Sequence, residues 1–167
     1  MTDGYLADAL PAFARSWRTV CREAAGLQDV ADRLFDQPLD AAWLTRLEAD
    51  KTLADRIESF VARYGRLQDQ LGEKALPRLL ALFGAAPRTL LDTLNAAERL
   101  GVLESAEAWL TLRALRNRLV HEYLESADEL LLALQVAEPA ARQLIDVVRR
   151  MDALLQERDI ALPGLAS

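Results

Sequence analysis

Apolar residues recur along this chain at intervals of three and four, the period of an α-helix that buries one side. Phe13, Trp17, Val20 and Ala24 share one such stripe. With Pro11 in a first turn and Gly26 behind it, the stripe predicts a helix over about Pro11–Ala25. The stretch from Gly26 to Asp40 reads as a connection, with room for a short helix around Val30, Leu34 and Phe35. A longer stripe then runs through Leu44, Leu47, Leu53, Ile57, Phe60, Val61, Tyr64, Leu67 and Leu71. It predicts one long helix, capped by Asp40 and stopped by Gly72.

A further helical piece is expected from Leu76 to Phe83, with Pro77 near its start and Gly84 at its end. Pro87 opens the next, through Leu90, Leu91, Leu94 and Ala97 to a stop at Gly101. Ser105 is placed to cap a helix over about Ala106–Tyr123. Ser126-Ala127-Asp128-Glu129 has the spacing of a capping box, so a last helix starts there and reaches about Arg158. Pro139 should break or kink it, because proline lacks the N–H and crowds the turn before it. The Ala161–Ser167 end should fray. No internal repeat is visible. Five or six helices joined by short turns make an antiparallel bundle, an all-α fold of one domain spanning residues 1–167.

Composition agrees with that pattern. Hydrophobic residues make up 51% of the chain and aromatics only 6%, with Leu and Ala dominant, a mix that loses little side-chain freedom in helices. At 167 residues the chain can bury a core without metals or disulfides. A net charge of −6 argues against a surface that is basic throughout, yet leaves room for a local basic groove. Cys21 is the single cysteine, which rules out an intrachain disulfide and reads as a small core hydrophobe. No apolar run approaches the ~20 residues of a membrane span. The acidic Met1-Thr2-Asp3-Gly4 start does not resemble a secretory signal. A soluble, cytoplasmic protein without membrane contact is expected.

Several enzyme classes lack their signatures. There is no glycine-rich phosphate loop, no Cys/His metal cluster and no G-x-S-x-G elbow, so no cofactor and no metal are expected. Asp50 and Asp55, like Asp128 and Glu129, read as charges on solvated helix faces. No compact basic recognition helix stands apart to suggest a DNA reader. Trp17, Trp43 and Trp109 are assigned to the core or to a dimer interface.

Chemistry concentrates in one segment. Arg113, Arg116, Asn117, Arg118, His121 and Tyr123 lie within eleven residues, and His121 is the single histidine. A helix end favours cations, so such residues can be merely stabilising. Helical spacing sharpens the question. At ~100° per residue Arg116 and Tyr123 fall within about 20° of each other, whereas Arg116 and His121 are about 140° apart. Asn117 and His121 are i and i+4, on a neighbouring stripe. Leu112, Leu115 and Leu119 occupy another side and would hold the helix to the bundle. One helix cannot aim Arg116 and His121 at one small target, but a second copy across a dimer axis completes such a site.

The segment Arg116-Asn117-Arg118-Leu119-Val120-His121-Glu122-Tyr123 resembles the R-x4-6-H signature of the HEPN superfamily. More narrowly it resembles the R-x4-H-x-Y form of HepT-like toxins, with Asn117 matching their common R-N start. The resemblance covers these eight residues closely and the rest of the chain only through its helical layout. It implies a metal-independent endoribonuclease that works as a homodimer, with Arg116 and His121 catalytic and Asn117 supporting them. Arg113 and Arg118 would add positive field for an RNA substrate. In such pairs a minimal nucleotidyltransferase acts as antitoxin and silences the toxin by adenylylating the motif tyrosine, here Tyr123. The resemblance also admits a non-catalytic HEPN partner, or substrate-binding subunit, of a nucleotidyltransferase. A plain interaction module is the third reading. The family's additional polar position has only Asp50 and Asp55 as candidates on the long helix.

Overall fold

The computed structural model describes residues 4–162, with backbone only over 122–125. It is all-α, and among the described residues there is no strand. After a short 3-10 turn the elements are α1 (Leu10–Leu34), α2 (Ala41–Ala49) and α3 (Lys51–Gln70). A π-helical turn (Leu71–Ala75) leads into α4 (Leu76–Leu82), followed by α5 (Leu90–Arg99), α6 (Ala106–Glu125) and α7 (Ala127–Glu157). One contiguous apolar core runs between them, drawing on every helix from Phe13 to Leu155. Of the Ala161–Ser167 end expected to fray, residues 163–167 lie outside the described residues.

Several expected boundaries move, each for a local reason. The first helix does not stop at Gly26 but continues to Leu34, carrying its buried stripe on through Leu27, Val30 and Leu34. The guanidinium of Arg63 on α3 lies over Gly26, and a Cβ there would displace that flexible side chain. The long helix expected from Asp40 is two helices. Asp40 does cap the first, its carboxylate accepting from the Trp43 N–H at 2.9 Å. Asp50, expected on an exposed face, adopts an extended backbone and accepts from Thr52 and Leu53 at 2.9 and 3.2 Å. It is the cap that starts α3.

Gly72 does not stop the chain's second long stripe either. The helix passes through it as the π turn, in which the Leu76 N–H reaches the Leu71 carbonyl. Pro77 follows in the first turn of α4. Proline cannot donate to the carbonyl four residues back and its ring crowds it, and a widened turn just ahead relieves both problems. Lys51–Leu82 thus forms one uninterrupted rod. Likewise Pro139 lies inside α7 without ending it.

Of the remaining starts, those capped by Ser105 and Ser126 agree with the sequence reading, whereas the helix expected to open at Pro87 begins at Leu90. Thr89 and Asp92 form a reciprocal capping box at 3.1 Å each way, two residues beyond Pro87. Ser105 Oγ accepts from Ala108 N–H at 2.9 Å, and Ser126 Oγ from Glu129 N–H at 3.4 Å. Gly84 and Gly101, both with positive φ, close α4 and α5. No helix among the described residues is long and apolar enough to cross a membrane.

Candidate functional site

Two glycines and a tyrosine determine how α6 lies on α3. Tyr64 Oη donates to the Leu112 carbonyl at 3.1 Å, and burial pushes this phenol well up from its ordinary pKa. Gly65 faces Arg116, where a built Cβ would stand 3.3 Å from Nε. Gly72 faces Trp109, where it would stand 3.0 Å from the indole ring. Gly65 and Gly72 are seven residues apart, as are Trp109 and Arg116, in reversed order. The two helices therefore run antiparallel and close, about two turns in register. Trp109, Leu112, Leu115 and Leu119 are buried, fixing which side of α6 faces the core.

The candidate residues are distributed by that orientation. Arg113, Asn117, Arg118 and His121 are exposed and Arg116 is half-buried. Asn117 and His121 share the outer strip of α6 with Leu110 and Ala114, both exposed, by their i, i+4, i+7, i+11 spacing. Leu110 is 43% and Val120 is 48% exposed, so apolar residues face outward as well as inward on this helix. Tyr123 belongs to α6, but its side chain lies outside the described residues.

Arg116 Nη2 pairs with Asp69 Oδ2 of α3 at 3.0 Å. The two side chains are 37% and 44% exposed, so the pair holds the guanidinium in place more than it stabilises the fold. The neighbouring Nε is buried over Gly65 and has no acceptor among the described residues.

Beside this pair opens a cleft of about 530 Å³ between the end of α3, the start of α5 and α6. Arg113, Arg116 and Asn117 line it, joined by Arg88 from the loop before α5. Asp69 and Glu73 supply the opposing charge, leaving three arginines against two carboxylates in a chain whose total is −6. The lining does not extend to His121, which sits about 7.5 Å further along the helix axis and about 140° around it from Arg116. One protomer thus brings Arg113, Arg116 and Asn117 together and leaves His121 apart.

Three further residues line this cleft and were not singled out in the sequence reading: Asp69, Arg88 and Gln68. Gln68 is only 3% exposed and lines the cleft. The signal for it was present, since Tyr64, Gln68 and Leu71 keep helical spacing and place an amide at a core position. Elsewhere, burial and the nearby Asp152 carboxylate push the Cys21 thiol up to about 11, which suits a packing residue and not a nucleophile. Among the described residues no three His, Cys, Asp or Glu side chains converge as metal ligands. No protein-family model matches this chain, and neither does any curated protein or solved structure.

Proposed function

We propose that this protein is a HEPN-type, metal-independent endoribonuclease that acts as a homodimer. In this reading it is a toxin whose antitoxin is a minimal nucleotidyltransferase, silencing it by adenylylation of Tyr123. The observation that carries the reading is the outer strip of α6. There Asn117 and His121 stand with outward-facing Leu110 and Ala114, and exposed Val120 lies on the neighbouring strip beside Arg113 and Arg116, on a helix whose opposite side is already buried. Exposed apolar residues interleaved with the single imidazole describe a face that a second copy of the same helix would cover. Such a copy brings its own His121 toward the arginines of its partner.

The chemistry follows from the residue types. A base takes the proton of an RNA 2′-hydroxyl, the freed oxygen attacks the adjacent phosphorus, and the bond to the 5′-oxygen breaks. That oxygen receives a proton as it leaves, giving a 2′,3′-cyclic phosphate and a 5′-hydroxyl. An imidazole titrates near neutrality and suits both proton transfers, the role of His121. The planar fork of Arg116 suits charge building on the phosphoryl oxygens, with Arg113 nearby.

One observation favours the second reading, a non-catalytic partner or substrate-binding subunit of a nucleotidyltransferase. Arg116 is committed to Asp69 and its Nε is buried, as a structural arginine would be. The two readings separate in one assay, RNA cleavage with excess chelator present. The catalytic reading expects cleavage by the wild type that falls by roughly 10²–10⁴ in His121→Ala. Absence of cleavage by protein whose intact mass shows no adenylyl group supports the partner reading instead.

A further inference from the structure

Gln68 is the one uncharged polar side chain of the cleft whose burial has no explanation within the fold. It is 3% exposed, and neither its Oε1 nor its Nε2 has a hydrogen-bond partner among the described residues. An amide left so costs stability, and apolar residues of similar size would pack in its place. Thr93, the other buried polar residue beside it, is satisfied by the Thr89 carbonyl at 3.1 Å. A side-chain amide presents a donor and an acceptor side by side, the complement of a nucleobase edge. The exposed mouth of the same cleft carries Arg88 and Arg113, cations suited to a phosphate. The cleft volume of about 530 Å³ is within the range of small-molecule sites.

We propose that this cleft is a nucleotide subsite, in which Gln68 reads the base edge while Arg88 and Arg113 hold the adjoining phosphate. The amide is buried at the cleft wall, so a base edge reaches it only when the side chains that cover it change rotamer, a fast motion for exposed residues. The ligand is a nucleoside monophosphate unit, either free or within single-stranded RNA. In the RNA case the subsite deepens the ribonuclease reading by giving it a base preference; in the free case it stands without that reading.

The test is equilibrium binding to the full-length His121→Ala protein, which keeps the cleft intact and leaves RNA uncut. The four nucleoside monophosphates, inorganic phosphate and short single-stranded RNAs of each base are titrated by NMR or fluorescence anisotropy. One base should bind preferentially, by roughly 5- to 100-fold over the others. Gln68→Leu should abolish the preference while leaving the thermal midpoint unchanged or higher, since it removes a buried unpaired amide. Arg88→Ala, an exposed substitution that leaves the fold untouched, should weaken every nucleotide alike. Binding of free monophosphates identifies a free nucleotide as sufficient; binding of RNA alone identifies a residue of the polymer. Absence of binding, equal binding of all bases and of phosphate, or a preference that survives Gln68→Leu each overturns the assignment. Base-selective binding by a protein that never cleaves RNA would leave the subsite standing and remove the ribonuclease.

Discussion

Gly65 and Gly72 are where single atoms govern the site. At both, helix propensity alone favours alanine by up to ~1 kcal/mol. The surroundings differ, however. A methyl at Gly72 meets the buried ring of Trp109 at 3.0 Å, and a rigid indole can make way only by moving as a whole. Overpacking there should outweigh the propensity gain, at about 1–3 kcal/mol. A methyl at Gly65 meets the flexible side chain of Arg116 at 3.3 Å, which can shift by a few tenths of an ångström. Urea denaturation should therefore show Gly72→Ala clearly destabilised and Gly65→Ala near neutral. Stabilisation of Gly72→Ala would mean that Trp109 is not a fixed wall of the interface between α3 and α6. At this scale the sequence exposed the arginines, the histidine and the asparagine, because their residue types announce chemistry. Asp69 stayed hidden because its partner lies 47 residues away and is found only once α3 and α6 are known to be antiparallel.

Helix existence was readable from periodicity, and helix ends were not. Gly26, Gly72 and Pro139 carry the composition of helix stops, yet helices run through all three. Burial wins over propensity in each case, since a stripe that keeps burying apolar side chains offsets the ~1 kcal/mol cost of an internal glycine and the ~3 kcal/mol cost of an internal proline. Asp50 is the converse, a residue that reads as one more surface charge and in fact divides two helices. Its two accepted N–H bonds are the reason α3 starts where it does, which in turn sets the register of Gly65, Gln68 and Asp69. Asp50→Ala should cost about 1 kcal/mol in chemical denaturation, the usual loss for a capping carboxylate. Asp50→Asn should retain most of it, as the amide oxygen still accepts. Equal loss in both would point to charge at the helix start rather than to the cap.

Across the whole molecule the all-α class was legible because composition and period agree, and because nothing in the chain competes with helix. The division of the motif was legible in part. Spacing already separates Arg116 from His121 by about 140°, and the fold keeps them apart by directing Arg116 toward Asp69 and His121 outward. What the linear pattern could not give is the cleft, assembled from three elements distant in sequence, nor the local excess of arginine within an acidic chain. The proposed activity therefore needs two copies, and that is its most exposed consequence. Arg116→Ala and His121→Ala should each abolish RNA cleavage in the presence of chelator. Mixed and allowed to exchange protomers, the two inactive proteins should regain up to roughly a quarter of wild-type activity, because half of the dimers are mixed and each mixed dimer holds one intact site. Regain would place Arg116 of one protomer and His121 of the other in a single ribonuclease site. An exchanged mixture that stays inactive while the wild type cleaves would contradict the shared site, and a wild type that never cleaves would contradict the activity itself.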